Sequence, residues 1–105
     1  MAPGRIVAIV AALTLAMPVS ADAATIQITM ENLVISPAEA SAKVGDTIEW
    51  INKDIFAHTA TARNGDFDVA MPSKKTVTFV LKKAGAIDYY CRFHPNMKAV
   101  LNVAP

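Results

Sequence analysis

Hydrophobic and polar positions alternate with a period of two along most of the chain. Ile26, Ile28 and Met30 alternate with Gln27 and Thr29, Ile48 and Trp50 with Thr47 and Glu49, and Val77, Phe79 and Leu81 with Thr76 and Thr78. That period sends alternate side chains to opposite faces, so these segments are half-buried strands. Turn formers fall between them at Ser36-Pro37, Val44-Gly45-Asp46, Asn64-Gly65-Asp66, Met71-Pro72-Ser73 and Lys83-Ala84-Gly85, intervals that suit short antiparallel strands. Strands are expected at 25–30, 32–35, 41–44, 47–52, 67–70, 75–82, 86–91 and 98–103. No stretch supports a helix of ten residues, and Ala38 to Lys43 allows one turn at most. Seven or eight strands in one domain without repeats make an all-β protein, a Greek-key β-sandwich.

The first residues follow a different pattern. Arg5 is followed by an apolar run from Ile6 to Met17, then by Pro18 and the triplet Ala21-Asp22-Ala23. A basic start, a short apolar core and small residues at the first and third positions of such a triplet make a secretory signal peptide. The run is shorter than the roughly 18 residues of a membrane span, so no stable membrane insertion is expected. Residues 1–23 are therefore expected to be a removable leader and 24–105 the folded domain, exported to the periplasm. A mature chain of about 80 residues is long enough to build a single core.

Charge narrows the range of partners. Ten Lys and Arg against nine Asp and Glu give a formal net charge of +1, and the lysines come in pairs, not runs. Nucleic acid is not expected as a partner, because nothing here would neutralise a phosphate backbone. The single Cys excludes an intrachain disulfide and a zinc site built of paired Cys-x-x-Cys knuckles. In an oxidising compartment a lone thiol is a liability unless it is buried or occupied.

The chemistry is concentrated in Tyr89-Tyr90-Cys91-Arg92-Phe93-His94-Pro95-Asn96-Met97. Cys91, His94 and Met97 are three apart, an odd spacing that a continuing strand would split between faces. The chain must bend after Cys91, and Pro95 favours an extended His94. The other His is His58, 33 residues before Cys91. One thiolate, two imidazoles and a thioether are the ligand set of a trigonal His2Cys copper site with a weak axial Met. Taken singly, each of these residues has a plainer use: a core thiol, a satisfied imidazole, a filler side chain. Together they consume the chain's one Cys and both His. The expected metal ligands are His58, Cys91, His94 and Met97, holding one copper. His58 is expected to donate its second ring N–H to a backbone carbonyl in the 52–55 turn, and the Thr59 amide to approach the Cys91 sulfur. Asp66 and Asp68 read as turn formers, and no nucleophile motif stands out, so the protein is not expected to be an enzyme.

Val44-Gly45-Asp46-Thr47-Ile48-Glu49-Trp50-Ile51-Asn52, then His58, then Gly85 to Cys91, resembles the cupredoxins, and the Cys-x2-His-x2-Met loop resembles that of the amicyanins, a short-loop group of the plastocyanin and azurin type. The resemblance departs from the common pattern at Ala57, Thr59, Arg92-Phe93 and Ala99. It implies a type 1 blue copper protein that carries single electrons between larger redox proteins, such as a dehydrogenase, an oxidase or a cytochrome. These would dock transiently near His94, in a patch with Phe93, Pro95, Phe56 and Met71, on a monomer. Tyr90, next to Cys91, offers either a second surface route or a cross-strand packing residue. A rival reading is a periplasmic copper-delivery protein. The scattered methionines at 1, 17, 30, 71 and 97 give it no Met cluster.

Overall fold

The computed structural model describes residues 22–105; the leader expected at 1–23 lies outside them except for its last two residues. Nine strands are described: β1 (Thr25–Glu31), β2 (Val34–Ser36), β3 (Glu39–Lys43), β4 (Thr47–Asn52), β5 (His58–Ala62), β6 (Asp68–Met71), β7 (Thr76–Val80), β8 (Gly85–Cys91) and β9 (His94–Ala104). They form two sheets, in the orders β2-β1-β4-β7 and β3-β9-β8-β5-β6. This is the expected all-β sandwich, with no helix among the described residues.

The strand alternation is realised as burial. Ile28 and Met30 of β1 and Ile48, Trp50 and Asn52 of β4 turn inward, while Gln27 stays exposed. From the other sheet come Ile87, Tyr89 and Cys91 of β8 and Met97, Ala99, Leu101 and Val103 of β9. Trp50 lies at the centre, with ring centroids of Phe67, Tyr89 and Phe79 at 5.6, 5.7 and 6.4 Å. Its indole N–H donates to the Tyr89 hydroxyl at 3.4 Å. Burial pushes the Tyr89 phenol up to about 12, because phenolate would lose its hydration there.

Three features differ from the sequence reading. The strand β5 was not foreseen. Its residues, His-Thr-Ala-Thr-Ala, hold no bulky alternation, yet His58, Thr59, Ala60 and Ala62 are buried between β6 and β8. Small residues suit a central strand where neighbouring elements press from both sides, and composition hides that fit. Second, not every neighbour is antiparallel: β1 runs parallel to β4 and β3 parallel to β9, because the chain crosses to the other sheet between β2 and β4. Third, β9 starts at His94 rather than 98. Cys91 faces His94 and Tyr90 faces Lys98, so residues 95–97 form a bulge on β9. Met97 keeps the inward phase of Ala99, Leu101 and Val103, and the bulge changes the phase before it, so that His94, three residues earlier, sits at the same end.

Candidate metal centre

The site lies at one end of the second sheet, where three strand termini meet. His58 is the first residue of β5, Cys91 the last of β8 and His94 the first of β9. β5 and β8 are antiparallel neighbours, so the beginning of one lies beside the end of the other. The link between β8 and β9 is a two-residue turn, Arg92-Phe93, which supplies the bend expected after Cys91.

The donor atoms converge. Nδ1 of His58 lies 3.2 Å from Nδ1 of His94, and the Cys91 sulfur is 3.7 Å from the first and 3.6 Å from the second. Nitrogen and thiolate ligands sit about 2.0–2.3 Å from a late first-row metal ion. One ion between them can therefore reach all three atoms. Met97 is buried at 2% exposure on the adjoining bulge, Cys91 and His58 at 0% and 1%. His94 is only half-buried.

Electrostatics prepare the donors. His58 Nε2 lies 2.7 Å from Asp54 Oδ2, so its N–H donates to the carboxylate and Nδ1 of the neutral ring is left with a lone pair aimed at His94 and Cys91. The acceptor is in the expected 52–55 turn, but it is a side chain and not a backbone carbonyl. Asp54 also accepts the amides of Asn32 and Leu33 at 2.7 and 3.1 Å. Burial alone would raise its pKa, yet the His58 hydrogen bond and the two amides outweigh it and hold the carboxyl below its ordinary 3.8. The Thr59 amide lies 3.4 Å from the Cys91 sulfur, as expected, and favours thiolate charge. The Thr59 hydroxyl accepts the Arg92 amide at 2.9 Å and so ties the β8–β9 turn to β5.

Asn52, which the sequence reading passed over, braces the same region. Its amide group donates to the carbonyls of Phe56, Met71 and Pro72 at 2.8, 3.1 and 3.2 Å, and its oxygen accepts the Asp54 amide at 2.9 Å. The available signal was an inward phase on β4 occupied by a polar residue directly before a loop.

Around the half-buried His94 the surface is apolar. The Phe56 ring lies 6.1 Å from the His94 ring, and Ile55, Phe56 and Phe93 are exposed. Leu33, tied to Asp54 through its amide, is exposed as well. Met71 does not join them, because it is buried opposite His58 in the β5–β6 pair. Asp66 and Asp68 are not a carboxylate pair: the Asp66 carboxylate accepts the Asn64 side-chain amide while its backbone N–H donates to Asn64 Oδ1, and Asp68 accepts from Thr61 and Arg92. Tyr90 lies half-buried with the Arg63 guanidinium 4.2 Å over its ring, a packing role.

Comparison with known proteins gives the family. A model of the cupredoxin-like domain matches residues 5–103. The chain belongs to the cupredoxin-like family. Among relatives, it is 30% identical over 93 residues to the methylamine utilization protein MauL of Methylorubrum extorquens, covering 85% of this chain and 80% of that protein. It is 29% identical over 89 residues to the amicyanin of Paracoccus versutus, covering 79% of this chain and 66% of the relative. The amicyanin of Paracoccus denitrificans is 32% identical over 66 residues, covering 57% of this chain, which spans half of that relative's length. In structure, the P. versutus amicyanin superposes with a TM-score of 0.65 at 26% identity, covering 79% of this chain and 82% of that one. A purple cupredoxin from Nitrosopumilus maritimus superposes equally, at 0.65 and 26%, covering 75% of this chain and 99% of that one. A nitrite reductase from Thermus scotoductus shares the fold, with this chain covering 22% of it.

Proposed function

We propose that this protein is an exported blue copper electron carrier, holding one copper through His58, Cys91 and His94 with Met97 as the weak fourth ligand. The observation that carries the reading is the convergence of two imidazole nitrogens and one thiol sulfur within 3.7 Å of one another, on a family fold whose relatives include amicyanins. The set has no carboxylate, and it combines two imidazoles with a thiolate and a thioether, a mixture that suits copper and not a hard cation.

Copper bound there supplies one-electron Cu(II)/Cu(I) chemistry. The chain's contribution is to hold the donors still. Asp54 fixes the His58 ring, the Thr59 amide steadies the sulfur, and Thr59 pins the turn between Cys91 and His94. Donors that are braced in this way move little between oxidation states, which favours fast exchange. The burial of Cys91, His58 and Met97 keeps solvent out, and it opposes the ready release that a copper-delivery protein would need. His94 is the donor nearest the surface, and the apolar rim of Leu33, Ile55, Phe56 and Phe93 gives redox partner proteins a surface for brief docking. Removal of a leader at 1–23 and residence in the periplasm belong to the same reading, supported by the basic start, the short apolar run and the Ala21-Asp22-Ala23 triplet.

The test is spectroscopic. Copper-loaded, oxidised protein should show an intense thiolate-to-copper band, and Cys91→Ser should abolish it while the circular dichroism of the sandwich is retained. A variant that keeps the band unchanged would refute the ligand assignment.

A further inference from the structure

At the end of the sandwich opposite the metal centre, Asp46 is a carboxylate with an unusual partner. It immediately precedes β4, whose far end is Asn52, and is 3% exposed. Oδ2 accepts the Lys43 amide at 3.0 Å, and Oδ1 accepts the amide of Ala24 at 2.9 Å. The Ala24 carbonyl in turn accepts the Thr47 amide at 2.9 Å. Ala24 is therefore held on both sides, one residue before β1 begins. The Asp46 carboxyl is held below its ordinary 3.8 by the Ala24 and Lys43 amides and by the Lys43 charge.

The nitrogen on Asp46 belongs to the residue that follows the Ala21-Asp22-Ala23 triplet. Asp22 and Ala23 lie outside any strand and are exposed, so the bond after Ala23 is open to a peptidase that takes small residues. We propose, building on the export reading above, that hydrolysis of the Ala23–Ala24 bond turns the Ala24 nitrogen into an α-ammonium paired with Asp46, so that the neutral hydrogen bond tying the start of β1 to the β3–β4 turn becomes an ion pair, a latch present only in the processed chain. Water supplies the hydroxyl that completes the Ala23 carboxylate and the hydrogen taken by the Ala24 nitrogen, which binds a further proton to become the ammonium. A cut at any earlier bond would leave the neutral Ala24 amide on Asp46, and a later cut would remove Ala24 altogether.

Other groups around Asp46 do not replace this cation. Lys43 Nζ is the charged group set against it, at 3.8 Å from Oδ1, and the same ammonium reaches the Asp22 carbonyl at 3.5 Å, a contact that leaves with the leader. Gly45 and Leu81 meet this turn through backbone bonds. Pairing raises the amine's pKa in the folded state above its ordinary value of about 7.7–8.0. The stability it adds is then full below that ordinary value and is lost as pH rises through the raised one.

The experiment uses the full chain expressed with its leader, followed by the copper-loaded protein recovered from the periplasm. Intact mass should correspond to residues 24–105. The α-amine of that protein, titrated by NMR, should have a pKa at least about one unit above the ordinary range. Asp46→Asn should return it to that range, and so should a single Gly inserted before Ala24, a variant that keeps every side chain and guards against a misfolded Asp46→Asn protein. A mature chain starting elsewhere would overturn the cut, and an unprocessed chain would overturn the export reading itself. A chain that does start at Ala24 but whose amine titrates in the ordinary range would overturn the latch and leave export standing.

Discussion

Replacing Asp54 by Ala removes three acceptor bonds at once, from the His58 ring at 2.7 Å and from the Asn32 and Leu33 amides at 2.7 and 3.1 Å. An orphaned buried donor costs about 1–3 kcal/mol. Asn32 and Leu33 are exposed, so water can reach their amides and soften that cost, whereas the His58 side chain is enclosed. The total comes to roughly 2–4 kcal/mol, which for a domain of this size lowers the melting temperature of the metal-free protein by about 10 °C or more. A second effect falls on the metal. Without the carboxylate, the His58 N–H is free to sit on Nδ1, the atom that faces Cys91 and His94, and the ring is no longer held in one orientation. Loss of such an outer partner typically weakens metal binding about 10- to 100-fold. Calorimetry of the metal-free protein and competition titration of Cu(I) against a chelator read the two effects separately. A melting point within about 2 °C of wild type would refute the bonding account. A lower melting point with unchanged copper affinity would refute the claim that Asp54 orients His58.

Two further outcomes follow from single contacts. Phe93→Glu places a charge in the apolar rim next to His94, where the Phe93 side chain is 57% exposed; the colour should be unchanged, while electron self-exchange between two copies, measured by NMR line broadening, should slow at least about tenfold if docking uses that rim. Tyr89→Phe leaves the Trp50 indole N–H without its hydroxyl partner and should cost about 1 kcal/mol in chemical denaturation; because the Tyr89 phenol is pushed up to about 12, the variant and wild type should give the same phenolate absorbance up to about pH 10, and a difference appearing below that would contradict its burial.

The convergence of His58, Cys91 and His94 was legible because these residue types are rare. One Cys and two His in the chain leave few ways to assemble a sulfur–nitrogen site, and the odd spacing between Cys91 and His94 demanded the turn that Arg92-Phe93 makes. Strands with bulky alternation, such as Ile48-Glu49-Trp50, were equally plain, since periodicity and burial report the same geometry. What escaped notice was held by small or polar side chains. The strand β5 buries Ala60 and Ala62, residues whose fit depends on the neighbours across the sheet. Asp54 precedes His58 by four residues and reads as a turn former until the fold shows the loop folding it back onto the ring. Met97 follows the inward phase of Ala99 and Leu101, but bringing His94 to the same end takes the bulge at 95–97, and that bulge is set by the register of β9 against β8, not by local preference.

The link from β4 to β5 explains how rigidity and contact coexist at one end of the molecule. Its inward side chains are polar: Asn52 collects three carbonyls and Asp54 collects the His58 ring and two amides. Its outward side chains, Ile55 and Phe56, are apolar and exposed. In an ordinary surface loop the arrangement is reversed, with polar groups in water and apolar groups packed below. The inversion has a cost, since exposed Ile and Phe gain nothing from burial and the enclosed polar groups must all find partners; every buried side-chain nitrogen and oxygen among the described residues does find one. A fold under selection for stability alone would exchange the two layers. Under the proposed electron-carrier function the two layers have separate uses, the inner one holding His58 in one orientation and the outer one offering a surface for brief docking, and they meet at the half-buried His94, which opens β9 and has the Phe56 ring 6.1 Å away.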